Sequence, residues 1–141
     1  MNLRIQYDCL GIDFQQITDT LKAVGMGYFD AETHRKAFEN SYTVVFVFDN
    51  EKLIGFGRAI SDGAYQAGIY DIAVISEYQG KGIGKVVVDN ILKTIPQCNV
   101  ILYAAPGKDA FYEKLGFKRM KTGMALFLNS ERMQEKGFIE Q

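Results

Sequence analysis

The sequence predicts an α/β domain of about seven strands and four helices around a mixed, mostly antiparallel sheet. Three observations carry this reading. Residues 42–74 hold three apolar runs separated by the turn signals Asp49-Asn50-Glu51 and Asp62-Gly63, the pattern of an antiparallel meander. A glycine-rich string, residues 79–85, then leads from the third run into a helical stretch stopped by Pro96. Residues 99–104 form a further apolar run. Reached by a helical crossover, it should lie parallel to the third run.

The elements follow in order. Residues 3–7 alternate apolar and polar, as a first strand does. Asp13 is a candidate cap for a helix that carries Phe14, Ile17, Leu21 and Val24 on one face, and Gly25-Met26-Gly27 ends it. Residues 28–40 read as a loop and a short second helix. Residues 42–48 are almost all β-branched or aromatic, hence a buried strand, and Asn50 suits a left-handed turn position. Residues 52–61 are its hairpin partner, in which Gly55 and Gly57 mark a bulge or a close backbone approach. Residues 67–74 are the third strand of the meander. The helix from about Gly82 to Ile95 groups Ile83, Val87, Ile91 and Leu92. Residues 109–115 make a short helix before Gly116, residues 117–120 and 124–128 read as a final β pair, and the charged tail 129–141 is a docked helix or a frayed end.

At 141 residues the chain is expected to be one domain, residues 1–141, with 129–141 as its tail. A net charge of −1 gives no support to a nucleic-acid partner. No apolar run approaches membrane-spanning length, and the start lacks a secretory pattern, so a cytoplasmic protein is expected. Cys9 and Cys98 lie far apart and His34 is the one histidine, too few ligands for structural zinc. Two buried or half-buried thiols are expected instead of a disulfide.

The string Gln79-Gly80-Lys81-Gly82-Ile83-Gly84-Lys85 sits between a strand and a helix. Glycines at alternate positions leave backbone N–H groups uncovered, and the helix N-terminus adds orphan donors and the positive end of its dipole. That is how a phosphate cradle is built. A P-loop is excluded, because Gln79 stands where its first glycine belongs and Val86 replaces its Ser/Thr. The dinucleotide fingerprint fails at Lys85.

The pattern that holds is Q/R-x-x-G-x-G/A, in Gln79, Gly82 and Gly84. With Asp71-Ile72-Ala73-Val74 upstream it resembles the pyrophosphate loop of the GNAT superfamily of acetyl-CoA-dependent N-acetyltransferases. Phe111-Tyr112-Glu113-Lys114-Leu115-Gly116-Phe117 is similar to that superfamily's late helix. The resemblance covers residues 3–128. It implies a sheet splayed between its fourth and fifth strands, acetyl-CoA as co-substrate and a homodimer, although no residue specifies the last.

The resemblance also implies roles. The loop from Gln79 through Gly80, Lys81, Gly82, Ile83 and Gly84 to Lys85 would hold the pyrophosphate, with the two lysines adding positive charge. Backbone at Ile72, Ala73 and Val74 would bind the pantetheine arm and steady the oxyanion. Tyr112 matches the position of a general acid that protonates the leaving thiolate, and it would also contact the cofactor. A phenol with pKa near 10 is protonated at neutral pH and suits that task. Tyr28 and Phe29 lie where the family builds a wall of the acceptor pocket; as packing residues they are equally well explained.

Moving acetyl onto an amine also requires removing a proton from the acceptor. Asp71 is the candidate base or amine-orienting carboxylate, since an inward charge on a central strand is costly without a use or a partner. Strict alternation puts it on the face of Ile69 and Ala73, opposite Tyr70 and Ile72. Asp62, Glu77 and His34 are weaker candidates, and water can mediate the transfer. No nucleophile–base pair stands out, so direct transfer in a ternary complex is expected. The acceptor would be a primary amine, either a small molecule such as an arylalkylamine or polyamine, or a lysine side chain. The reading from another class is a non-catalytic acyl-CoA-binding sensor or interaction module.

Overall fold

The computed structural model describes all residues 1–141, which form two compact units, Met1–Leu102 and Tyr103–Gln141. The first unit contains strands β1 (Leu3–Gln6), β2 (Thr43–Asp49), β3 (Lys52–Ser61), β4 (Gln66–Val74) and β5 (Asn99–Ile101), with helices α1 (Phe14–Ala23), α2 (Ala31–Glu39) and α3 (Ile83–Leu92). The strands join in the order β1-β2-β3-β4-β5. All neighbours are antiparallel except β4 and β5, which are parallel, as the helical crossover requires.

Local chemistry explains the boundaries. The Asp13 carboxylate accepts the N–H of Gln15 and caps α1, while Asp30 accepts that of Thr33 and caps α2. Asn50 takes the left-handed turn position between β2 and β3, at φ 52°.

The sheet is covered on both faces. On one, Phe14, Ile17 and Leu21 of α1 and Phe38 of α2 pack with Val44, Phe46, Phe56 and Ala73. Four phenylalanines meet there, with Phe38 stacked on Phe46 at 5.6 Å and Phe14 edge-on to both. On the other, α3 packs on β2, β3 and β4 and buries Ile83, Val87, Val88 and Ile91, so Val88 takes the place expected of Leu92. Gly55 and Gly57 are close-approach positions. A β-carbon on Gly55 would lie 2.9 Å from Ile83, and one on Gly57 2.9 Å from Val87.

The second unit holds α4 (Asp109–Lys114) and α5 (Ser130–Glu135). Asn129 caps α5 by accepting the Arg132 N–H, so the tail is helical in part. Tyr103 packs edge-on against Phe127 and Phe138.

The sheet therefore has five strands, not seven, and the chain has five α-helices, not four. Residues 117–120 and 124–128 form no strand. Met124, Leu126 and Leu128 alternate as a strand would, yet they are 96%, 98% and 109% exposed. Alternation specifies a strand only when one face is buried, and here neither is. β5 also stops at Ile101, three residues short of the apolar run that suggested it. No helix is long and apolar enough to cross a membrane.

Candidate functional site

The β4–β5 ladder contains only three pairs, Gln66–Asn99, Ala67–Val100 and Gly68–Ile101, and β4 continues past them to Val74. That continuation holds Ile72, Ala73 and Val74. Ile75 and a 3₁₀ turn (Ser76–Tyr78) then carry the chain into the glycine loop. The Gln79 side-chain amide turns back and donates to the Val74 carbonyl at 3.0 Å, tying the loop to the strand end.

Gly80 and Gly82 both have left-handed backbone, at φ 76° and 84°, and no atom lies within 4 Å of where their β-carbons would be. Conformation, not crowding, requires glycine here, and the space above the loop is open. Gly82 is the N-cap of α3, and the Val86 N–H is the first to find its i−4 acceptor, Gly82 O, at 3.2 Å. The amides of Ile83, Gly84 and Lys85 therefore belong to the unpaired first turn, with the helix dipole behind them. Lys81 stands 5.2 Å over the Tyr78 ring, and Lys85 pairs with Asp89 one turn along α3. This donor set suits a phosphate-bearing ligand.

Upstream, β4 departs from regular alternation. Phe56 pairs with Ala73 but Arg58 pairs with Tyr70, so Gly57 faces two residues, Asp71 and Ile72. Asp71 takes up the extra length at φ 59°. Its carboxylate Oδ2 accepts from Arg58 Nε at 2.7 Å, and the same guanidinium lies 5.4 Å from the Tyr70 ring centroid. Asp71 thus shares a face with Tyr70 as well as with Ala73, while Ile69, paired with Ala59, lies on the opposite one. Strict alternation misplaced Tyr70 and Ile69 because a bulge resets the two-residue period. The half-buried charge also has its partner in Arg58, which sequence spacing alone did not reveal.

His34 is 3% exposed, and its Nε2 accepts the Phe29 N–H at 2.8 Å. Burial pushes its pKa below the ordinary value, with Asp71 raising it and Arg58 lowering it by smaller amounts. The imidazole thus anchors the α1–α2 loop. Tyr28 and Phe29 on that loop are 47% and 64% exposed, and Lys22 sits over the Tyr28 ring.

The remaining acids have local duties. Asp62 accepts the amides of Ala64, Tyr65 and Gln66, and these hold its carboxyl below the usual range. Glu77 is held low by its hydrogen bond from Lys52 at 2.7 Å. No group of three His, Cys, Asp or Glu is placed to hold a metal, and both cysteines are half-buried free thiols.

In the second unit, Tyr112 lies on α4 between the rings of Phe111 and Phe117, at 4.9 and 5.8 Å. Burial pushes its phenol above the ordinary value, which keeps the proton in place.

Comparison with known proteins gives a consistent result. Residues 15–125 match the acetyltransferase (GNAT) domain. The uncharacterized N-acetyltransferase ycf52 of Pyropia yezoensis is 35% identical over 95 residues, covering 62% of this chain and 55% of the relative. The histone acetyltransferase TAP1 of Glycine max is 33% identical over 102 residues, covering 62% and 41%. The chain therefore spans about half the length of these curated relatives. Among solved structures, the probable acetyltransferase SA2161 of methicillin-resistant Staphylococcus aureus, a protein of unknown function, superposes with a TM-score of 0.77 at 28% identity, covering 89% of this chain and 98% of that one.

Proposed function

This chain belongs to the GNAT family of acetyltransferases, and from that premise we propose that it moves an acetyl group from acetyl-CoA directly to a primary amine. The observation that carries the reading is the continuous stretch from Ile72 to Lys85. A strand that outruns its parallel neighbour leads, through a single 3₁₀ turn, into a left-handed glycine loop at a helix N-terminus.

Acetyl-CoA, when bound, supplies an activated thioester. The amides of the loop from Gln79 to Lys85 bind its pyrophosphate, and Lys81 and Lys85 add favourable charge. The backbone of Ile72, Ala73 and Val74 binds the pantetheine amides, and N–H groups there suit the negative charge that develops on the acetyl oxygen. Tyr112 gives its phenolic proton to the leaving sulfur; its raised pKa keeps that proton available at neutral pH. Asp71 receives the acceptor ammonium and orients it for proton loss, Tyr28 and Phe29 face the acceptor, and water carries the proton away.

The acceptor is a small-molecule amine or a protein amine, the latter supported by the soybean relative named as a histone acetyltransferase. Calorimetry with acetyl-CoA, ATP and NAD tests the cofactor half of this reading. Binding of acetyl-CoA alone is expected, and a preference for ATP or NAD would overturn it.

A further inference from the structure

The break in the β3–β4 ladder is locked by side chains, and the lock is Arg58. Asp71 occupies left-handed backbone at φ 59°, a conformation that carries a steric cost for a residue with a β-carbon. It persists because its carboxylate has a fixed partner. Arg58 Nε donates to Oδ2 at 2.7 Å, with the two side chains only 15% and 22% exposed. The guanidinium is itself confined. It lies 5.4 Å from the Tyr70 ring and 5.8 Å from the fully buried Phe38 ring, and its Nη1 reaches Ser41 Oγ at 3.4 Å.

We propose that Arg58 is a positioning residue for the acceptor amine. It holds Asp71 by one oxygen, so that the bulge is fixed and the other oxygen, Oδ1, is presented to the acceptor ammonium. This rests on the acetyl-transfer reading given above. Two consequences follow from the geometry. The carboxylate cannot swing away, because its partner is hemmed in by two rings and a hydroxyl. The guanidinium also keeps the pair close to neutral, so the ammonium is oriented without being held so strongly that loss of its proton becomes harder. Lysine cannot reproduce this fully, since it lacks the planar guanidinium that packs against the two rings.

The test compares wild type with Arg58→Gln and Arg58→Lys. Arg58→Gln should raise the KM for the acceptor by about tenfold or more, the scale on which small misplacements act, while acetyl-CoA affinity by calorimetry stays within about twofold. Arg58→Lys, which keeps the charge and guards against a variant that fails to fold, should recover part of that loss. Backbone chemical shifts supply a readout independent of turnover: Asp71 should keep its left-handed signature in wild type and lose it in Arg58→Gln. Unchanged acceptor KM with an unchanged Asp71 signature would overturn the proposal, as would equal weakening toward acceptor and acetyl-CoA. If wild type turned over no amine, the acetyl-transfer reading would fail, and an Asp71 signature that survived Arg58→Gln would overturn the positioning role separately.

Discussion

The Cδ1 of Ile72 occupies the point where a β-carbon on Gly57 would stand. Gly57 faces the bulge across the ladder, and Val87 and Ile91 of α3 close on the same point from 2.9 and 3.2 Å. The bulge that turns Asp71 toward Arg58 thus turns Ile72 the other way, into the space that glycine leaves free. Gly57→Ala should therefore destabilise the protein by about 1–3 kcal/mol through overpacking. Ile72→Val removes the clashing methyl, so the double variant should recover much of that loss in urea denaturation. A Gly57→Ala variant that unfolds at the wild-type midpoint would contradict the packing.

The left-handed backbone at Gly82 makes a separate prediction. Alanine there would hold φ 84° at a steric cost of about 1–2 kcal/mol, or it would pull the loop amides out of line. Gly82→Ala should weaken acetyl-CoA binding by about tenfold, the equivalent of about 1.4 kcal/mol. Gly27→Ala, also in open space but without positive φ, should leave binding unchanged. Calorimetry separates the two, and equal affinities in both variants would count against the loop.

His34 gives the fold a pH dependence of defined sign. It is the only histidine, and burial lowers its folded pKa below the ordinary value. As pH falls through about 6.5 the unfolded chain takes up a proton that the folded chain resists, so stability falls with it. The melting temperature should decline between pH 7 and pH 5, and His34→Gln should flatten that part of the profile. A decline as steep in the variant as in wild type would assign the effect elsewhere.

Tyr112 should act as an acid whose proton is secure. Burial raises its pKa, so its protonated form persists across the neutral range and up to about pH 10. Tyr112→Phe should lower kcat by about a hundredfold, within the usual range for a general acid, with little change in acetyl-CoA affinity. An alkaline loss of activity below pH 9 that vanished in the variant would contradict the raised pKa, and an unchanged kcat in Tyr112→Phe would contradict the acid role.

Much of this architecture was legible from residue type. The β-branched run of β2, the turn at Asn50, the cap at Asp13 and the parallel crossover to β5 all follow from local chemistry. So does the glycine loop, because alternate glycines before a helical pattern leave few other constructions. The bulge was legible only in part: Gly57 marked its place on β3, where the register breaks, but not the strand that carries the extra residue. One extra residue in β4 shifts every later side chain to the other face, and no residue type in Tyr70-Asp71-Ile72 announces it. The pairing of Asp71 with Arg58 was hidden for the same reason, since it depends on that shift. Residues 117–128 erred in the opposite direction: their alternation is real, but a strand also needs a ladder partner and a covered face, and these lie outside the local sequence.

The most direct test of acetyl transfer is the release of free CoA thiol from acetyl-CoA across a panel of amines. The panel spans arylalkylamines, polyamines, amino acids and lysine peptides, with wild type run beside Tyr112→Phe. Thiol release with one class of amine, lost in the variant, is the predicted result, and it would also name the acceptor class. Tight binding of acetyl-CoA with no release for any amine would contradict the catalytic reading and favour a module that binds acyl-CoA without turning it over.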